Sequence, residues 1–154
     1  MNSIIIKYSQ ELFEKLQRCG SSAVVEGESI KFNPLEAVYL TEKGVIQLPA
    51  KELSKSTKKK GFKEKYLVFR HFFDHGYPVR VSLDTDEYLR VYRKGVKVGE
   101  DRTQYLVKIT NEKESIKDVE EFLSFVGKFR KEPILAVVEK EKIRFIKFGR
   151  LTFD

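Results

Sequence analysis

The segment Pro133 to Val138 (PILAVV) is apolar without interruption. An extended run that never alternates offers no face to water, so it is expected as a strand buried on both sides. The elements around it follow from their own signals. Tyr66, Leu67, Phe69, Phe72 and Phe73 fall in a helix from about Phe62 to His75, ended by Gly76 as a left-handed cap, with Tyr77 and Pro78 opening a strand. Val79 and Val81, Tyr88 to Tyr92, and Tyr105 to Ile109 read as strands between polar turns. Ser115 caps a second helix with Val119, Phe122, Leu123 and Val126 on one face, and Ile143, Phe145, Ile146 and Phe148 form a last strand. Helix, three strands, helix, two strands is an α/β sandwich of about ninety residues.

The first part of the chain is poorer in large apolar side chains. Ser9 caps a short helix with Leu12, Phe13 and Leu16 on one face, ending near Gly20, and Val24, Val25, Ile30 and Phe32 flank Gly27 as a hairpin. Asn33 before Pro34 starts a helix whose stripe is Leu35, Ala37, Val38 and Leu40, up to Gly44, and Val45 to Leu48 reads as a brief strand. About fifty residues with this composition are marginal alone, so this part is expected to pack against the second or a partner.

Charge divides the two. The chain has 154 residues, 41% of them hydrophobic, and a formal net charge of +7. Seven lysines and two glutamates between Lys51 and Lys65, including Lys58, Lys59 and Lys60, place five of those charges in fifteen residues. That stretch reads as a solvated connector able to grip a phosphate backbone, with Tyr88, Tyr92 and Tyr105 as candidate stacking partners for bases. One cysteine, Cys19, excludes an internal disulfide, and with two histidines it leaves no zinc cluster. No stretch approaches the roughly 20 apolar residues of a membrane span, and the start MNSIIIKYSQ lacks a signal-peptide core, so an intracellular, cytoplasmic chain is expected. His71 and His75 stand four apart on a helix, as metal ligands can, without a third ligand type on that face, and they read as surface or boundary histidines. Gly95 to Gly99 (GVKVG) lacks the residues of a phosphate loop and reads as a hairpin turn. No cofactor or metal is expected.

Several segments taken together resemble the archaeal tRNA-splicing endonuclease family. Pro34 to Gly44 (PLEAVYLTEKG) is similar to its "EA-YL-E-G" helix, Tyr66 to Tyr77 (YLVFRHFFDHGY) to "Y-VYRDLRDRGY", and Leu89 to Gly95 (LRVYRKG) to "FRVYPRG". Gln104 to Val107 (QYLV) matches the end of "HSKYLV", and Lys131 to Glu139 (KEPILAVVE) matches "RKPLLLAVVD". The five run in order over about three-quarters of the chain. The resemblance implies an α/β (α+β) fold: a small N-terminal α/β domain with the lysine-rich connector over 1–60, and an α/β/α-type nuclease-like domain with a mixed sheet over 61–154.

It also implies a chemistry. Members cut bulge-helix-bulge precursor RNA without a metal, the neighbouring 2′-hydroxyl attacking the phosphate to leave a 2′,3′-cyclic phosphate and a 5′-hydroxyl. A Tyr, His, Lys triad supplies base, acid and cation. Carried over, the tyrosine falls on Tyr92, the lysine on Lys131 and the histidine on Arg102. Arginine stays protonated and does not serve as the acid for a leaving alkoxide, although it can hold phosphate. The family's base-clamping arginine is also missing, its neighbourhood here reading Leu123, Ser124, Phe125. The chain therefore resembles a non-catalytic structural subunit of a heteromeric endonuclease, a heterotetramer whose other subunit carries the full triad. RNA contact is expected at Lys58, Lys59, Lys60 and Arg102. In the family the last strand pairs across a subunit boundary, which falls here on the apolar face Ile143, Phe145, Ile146, Phe148 and Leu151, and a preceding acidic turn, Glu139 and Glu141, docks on the opposite subunit. The alternatives are a nuclease active alone, with Arg102, His71 or His75 in the acid's place, and a general RNA-binding module.

Overall fold

The computed structural model describes residues 3–81, 88–95, 105–110, 116–128, 131–149 and 153. Among them, the apolar run is the strand β7 (Glu132–Glu139) and lies inside a five-stranded sheet of order β4-β5-β6-β7-β8. The other strands of this sheet are β4 (Val79–Val81), β5 (Tyr88–Val91), β6 (Tyr105–Thr110) and β8 (Lys142–Lys147). The β6/β7 pair is parallel and every other pair antiparallel. A parallel pair needs a crossover, and helix α5 (Ile116–Gly127) provides it. Side chains alternate across a strand, so Leu106 faces Phe122 and Val126 of α5, while Val107, Ala136 and Val138 face the opposite layer. That layer is helix α4 (Phe62–Asp74), which buries Phe62, Tyr66, Val68 and Phe69. The three-layer α+β arrangement meets the expected fold class, mixed sheet included.

In the first part, β1 (Ile4–Lys7), β2 (Val24–Glu26) and β3 (Ser29–Phe32) form an antiparallel sheet in the order β1-β3-β2, carrying helix α1 (Gln10–Arg18) between its first two strands. Strand β1 is not announced by local pattern; Ile4 to Ile6 reads only as a short apolar run until Ile30 and Phe32 are placed opposite it. The Ser9 hydroxyl accepts from the Leu12 amide, capping α1. Asn33 does the same for helix α2 (Pro34–Glu42) through the Leu35 amide. Buried residues of both parts, from Leu16 to Val138, belong to one continuous apolar cluster. Tyr39 of α2 packs on Phe69 and Phe73 of α4 at 6.1 and 4.8 Å between ring centres, and its hydroxyl donates to Asp74 at 2.5 Å. The Tyr66 hydroxyl answers from α4, donating to Glu42 at 2.5 Å. The expectation that the first part packs on the second is met.

One expectation is corrected. Val45 to Leu48 is not a strand. Gly44, at φ 75°, lets the chain turn back so that the Gly44 amide donates to Thr41 and the Val45 amide to Leu40, a Schellman ending that commits the amides a strand would use. The connector is solvated as expected, and within it Ala50–Thr57 forms a helix, α3, that the sequence pattern does not announce. It is solvated, with no residue fully buried, because lysine, alanine and glutamate favour helix without needing an apolar stripe. Gly61, at φ 80°, then turns the chain directly into α4.

Candidate active site at one end of the sheet

Register decides which strand ends meet. Val91 pairs with Tyr105, and Tyr105 pairs with Glu132. β5 runs towards this end of the sheet while β6 and β7 start from it. The residue after β5, Tyr92, and the residue before β7, Lys131, therefore stand at the same end, two strand spacings or about 10 Å apart. The strand between them, β6, begins three residues after Arg102, which lies outside the described residues. Tyr92 and Lys131 thus flank the ends of β5 and β7, on either side of the start of β6.

Tyr92 is 4% exposed, and its amide donates to Pro78 at 3.0 Å. Tyr88 packs in parallel against Phe122 and Phe125, at 5.6 and 5.0 Å. Burial removes Tyr92, and the phenylalanine stack occupies Tyr88, so neither is an open stacking platform for bases; Tyr105 is half-buried against the core. Lys131 is half-buried and lines a cleft of about 240 Å³ with Leu123, Val126, Gly127, Pro133, Phe148 and Gly149. The cleft wall from α5 is formed by Leu123, Val126 and Gly127 and carries no charged side chain. A cation lining a largely apolar cleft can interact with a phosphate, and low dielectric on one side strengthens such an interaction.

The other expected residues lie elsewhere. Lys58 is the C-cap of α3, and Lys59, Lys60 and Lys65 rim a small hollow of about 30 Å³ floored by Pro34, Leu35 and Phe62. The thirteen residues of α4, about 20 Å of helix, separate this patch from the Tyr77–Pro78 turn beside Tyr92. His71 and His75 stack at 4.3 Å, and His71 also packs on Phe145 at 5.1 Å. Burial and the neighbouring His75 lower the His71 pKa, while Asp74 opposes the shift. Phe145 pairs with Ala136, five residues into β7 from Lys131, about 16 Å along the strand. Among the described residues no group of three His, Cys, Asp or Glu side chains is placed to hold a metal ion, and no helix is long and apolar enough to cross a membrane. Cys19 donates to Leu16, and burial followed by the charge of Glu36 pushes its thiol pKa up, the opposite of an activated nucleophile.

The sequence pattern presents the last strand as one apolar face, and the pleat divides it. Ile143 and Phe145 point to the α4 side, Ile146 to the α5 side, and Phe148 turns into the Lys131 cleft, its amide donating to Pro133. Leu151 and the Val96 to Gly99 part of the glycine-bearing turn lie outside the described residues, as does Ser115. Glu139 pairs with Lys142 across a two-residue turn of Lys140 and Glu141, with Lys140 at φ 56°.

One buried group escapes a reading of the sequence. Glu36, 1% exposed on α2, accepts from the Ser21 hydroxyl, from the Ser22 hydroxyl at 2.6 Å and from the Ser22 amide at 3.2 Å. Desolvation raises its pKa, and these hydrogen bonds only partly offset the rise. A single acid in the apolar stretch LEAVYL reads as a solvent position unless Ser21 and Ser22 are known to fold onto it.

A mixed five-stranded sheet between two helices, with a lysine-bearing cleft at the strand ends near Tyr92 and Lys131, defines an α+β class of protein. The profile described as "tRNA intron endonuclease, catalytic C-terminal domain" matches residues 62–145, over half of the chain. The chain is 30% identical to the tRNA-splicing endonuclease of Thermococcus kodakarensis, over 81% of its own length and 82% of that protein's. It is 29% identical to those of Thermococcus gammatolerans and Pyrococcus abyssi, covering 96% and 80% of this chain and 90% and 81% of theirs. The chain belongs to the tRNA intron endonuclease family.

Proposed function

We propose that this chain is the non-catalytic, structural subunit of a heteromeric tRNA-splicing endonuclease acting on bulge-helix-bulge precursor tRNA, assembled as a heterotetramer with a subunit that carries an intact Tyr, His, Lys triad. It takes part in tRNA intron cleavage by holding that partner and part of the RNA. The observation that carries this reading is the pairing of a family fold with Arg102 at the histidine position. In-line attack by a 2′-hydroxyl needs a proton for the departing 5′-oxygen; a guanidinium, which stays protonated, gives none up at a useful rate, whereas an imidazole does. Lys131 in its cleft and Arg102 keep the capacity to hold a phosphate, and Tyr92, buried, keeps a packing role. Lys58, Lys59 and Lys60 offer a second cationic patch, at the other end of α4 from the Tyr77–Pro78 segment. In this reading 1–60 and 61–154 act as the two units of the subunit, and β8 with the Glu139–Glu141 turn forms the assembly surface.

The test is cleavage of a bulge-helix-bulge substrate by the purified chain and by the chain co-expressed with a triad-bearing homologue. The chain alone is expected to be inert and to become part of an active nuclease on co-expression. Release of 2′,3′-cyclic phosphate ends by the chain alone overturns the proposal.

A further inference from the structure

Arg80 on β4 and Arg90 on β5 are directly opposed across their antiparallel pair. Arg90 is in turn opposite Leu106, which packs with Phe122 and Val126, so both arginines stand on the α5 face of the sheet. Directly opposed side chains start about 5 Å apart, close enough for one small group to touch both. Each arginine is half-buried, and neither is ion-paired among the described residues. Their described neighbours on that face, Pro78, Tyr88, Tyr92 and Leu106, carry no carboxylate.

Like charges directly opposite one another destabilise a strand pair, and an anion seated between them removes that cost. The chemistry of the pair selects the anion. A carboxylate presents two coplanar oxygens that fill one guanidinium fork, whereas a tetrahedral phosphate can turn one unesterified oxygen to each of two forks. Position selects its source. The β4/β5 ladder continues one residue further, the Tyr92 amide donating to Pro78, so Tyr92 lies one pleat beyond Arg90, about 7 Å along the strand. The arginine pair therefore adjoins the end of the sheet where Tyr92 and Lys131 stand.

We infer that Arg80 and Arg90 are a paired-fork site for one phosphate of an RNA backbone, set one pleat behind the Tyr92 end of the sheet on its α5 face. The inference rests on the RNA-holding part of the reading above and adds the residues that do the holding; it does not depend on which subunit cuts.

The test titrates the full chain, alone, with a bulged RNA hairpin at several salt concentrations, so its failure is distinct from failure of the subunit reading, which cleavage decides. Arg80→Gln and Arg90→Gln are each expected to weaken binding about tenfold near 0.1 M salt and to lower the slope of log affinity against log salt by about 1. Because both forks hold one phosphate, the double variant is expected to lose well under the product of the two single losses. Without RNA at low salt, each single variant is expected to melt at or above the temperature of the unaltered chain, since a like-charged neighbour is gone. Arg80→Lys keeps the charge and gives up the fork, so it is expected to weaken binding several-fold with the slope unchanged, which keeps the test decisive should a glutamine variant not fold. RNA affinity within twofold of the unaltered chain in every variant, or single losses that simply multiply, overturns the inference. So does a pair that responds only to inorganic phosphate, or one that holds polyglutamate more tightly than RNA.

Discussion

Replacing Glu36 tests the buried acid from two sides. Glu36→Ala strips the acceptor from the Ser21 hydroxyl, the Ser22 hydroxyl and the Ser22 amide. Leaving a buried donor unsatisfied costs about 1–3 kcal/mol, and because both serines are half-buried, water recovers part of each loss. The expected cost is therefore about 2–4 kcal/mol, including the void left at a site that is 1% exposed. Glu36→Gln keeps the shape and one acceptor while removing the buried charge, and at neutral pH it is expected within about 1 kcal/mol of the unaltered chain. The two also differ in pH dependence. The folded-state pKa of Glu36 is raised, so the folded protein binds this proton more tightly than the unfolded chain does. The stability this group contributes is complete below the unfolded value near 4.3 and is lost as the pH rises through the folded value. Between those values the advantage of the unaltered chain over Glu36→Gln grows on acidification, by at most about 1.4 kcal/mol per pH unit. Urea unfolding of the three proteins, followed by far-ultraviolet circular dichroism from neutral pH to about pH 4.5, measures both effects. A Glu36→Ala loss under about 0.5 kcal/mol, or a difference from Glu36→Gln that shrinks on acidification, refutes the reasoning.

Arg102→His supplies a titratable group at the acid position but not the base clamp, so the variant is expected to remain far below a triad-bearing enzyme when assayed without its partner; full solo cleavage would count against this account. Replacing Lys58, Lys59 and Lys60 with alanine is expected to weaken RNA binding without changing thermal stability and to lower the slope of log affinity against log salt by about 2–3, measured by titration at several salt concentrations. Lys140→Gly relieves a left-handed side-chain residue at the first position of its two-residue turn, worth about 1 kcal/mol before glycine's unfolded-state entropy is deducted. A net gain near 0.5 kcal/mol in urea unfolding is expected, and a loss would show the turn has no strain to relieve.

Much of the fold could be read from local chemistry because the signals are themselves local. Ser9 and the Asn33–Pro34 pair start helices where they stand, Gly76 ends one, and the unbroken Pro133 to Val138 run marks the most buried strand. The misreadings share a cause. Helix α3 has no apolar stripe to announce it, and its lysines describe solvation equally well as coil or helix. Val45 to Leu48 looks like a strand until its amides are seen to be spent on the end of α2. β1 acquires meaning only opposite β3. The candidate site was legible as a set of residues through motif order, but not as a place, since it is the register Val91, Tyr105, Glu132 that brings distant segments to one end. The division of Ile143, Phe145 and Ile146 between two faces follows from the pleat, which a list of apolar residues conceals.

The apolar cluster that runs unbroken from Leu16 to Val138 has a consequence for how this chain responds to its surroundings. Because Tyr39 and Phe69 sit in it from either side, the small sheet and the large sheet are expected to melt in one step. Amides of Ile30 and Ala136 are therefore expected to exchange with deuterium at similar free energies, close to that of global unfolding. On the subunit reading proposed above, a partner bound at the last strand is then expected to slow exchange in the first sheet as well, so that occupancy at one strand is read out at another.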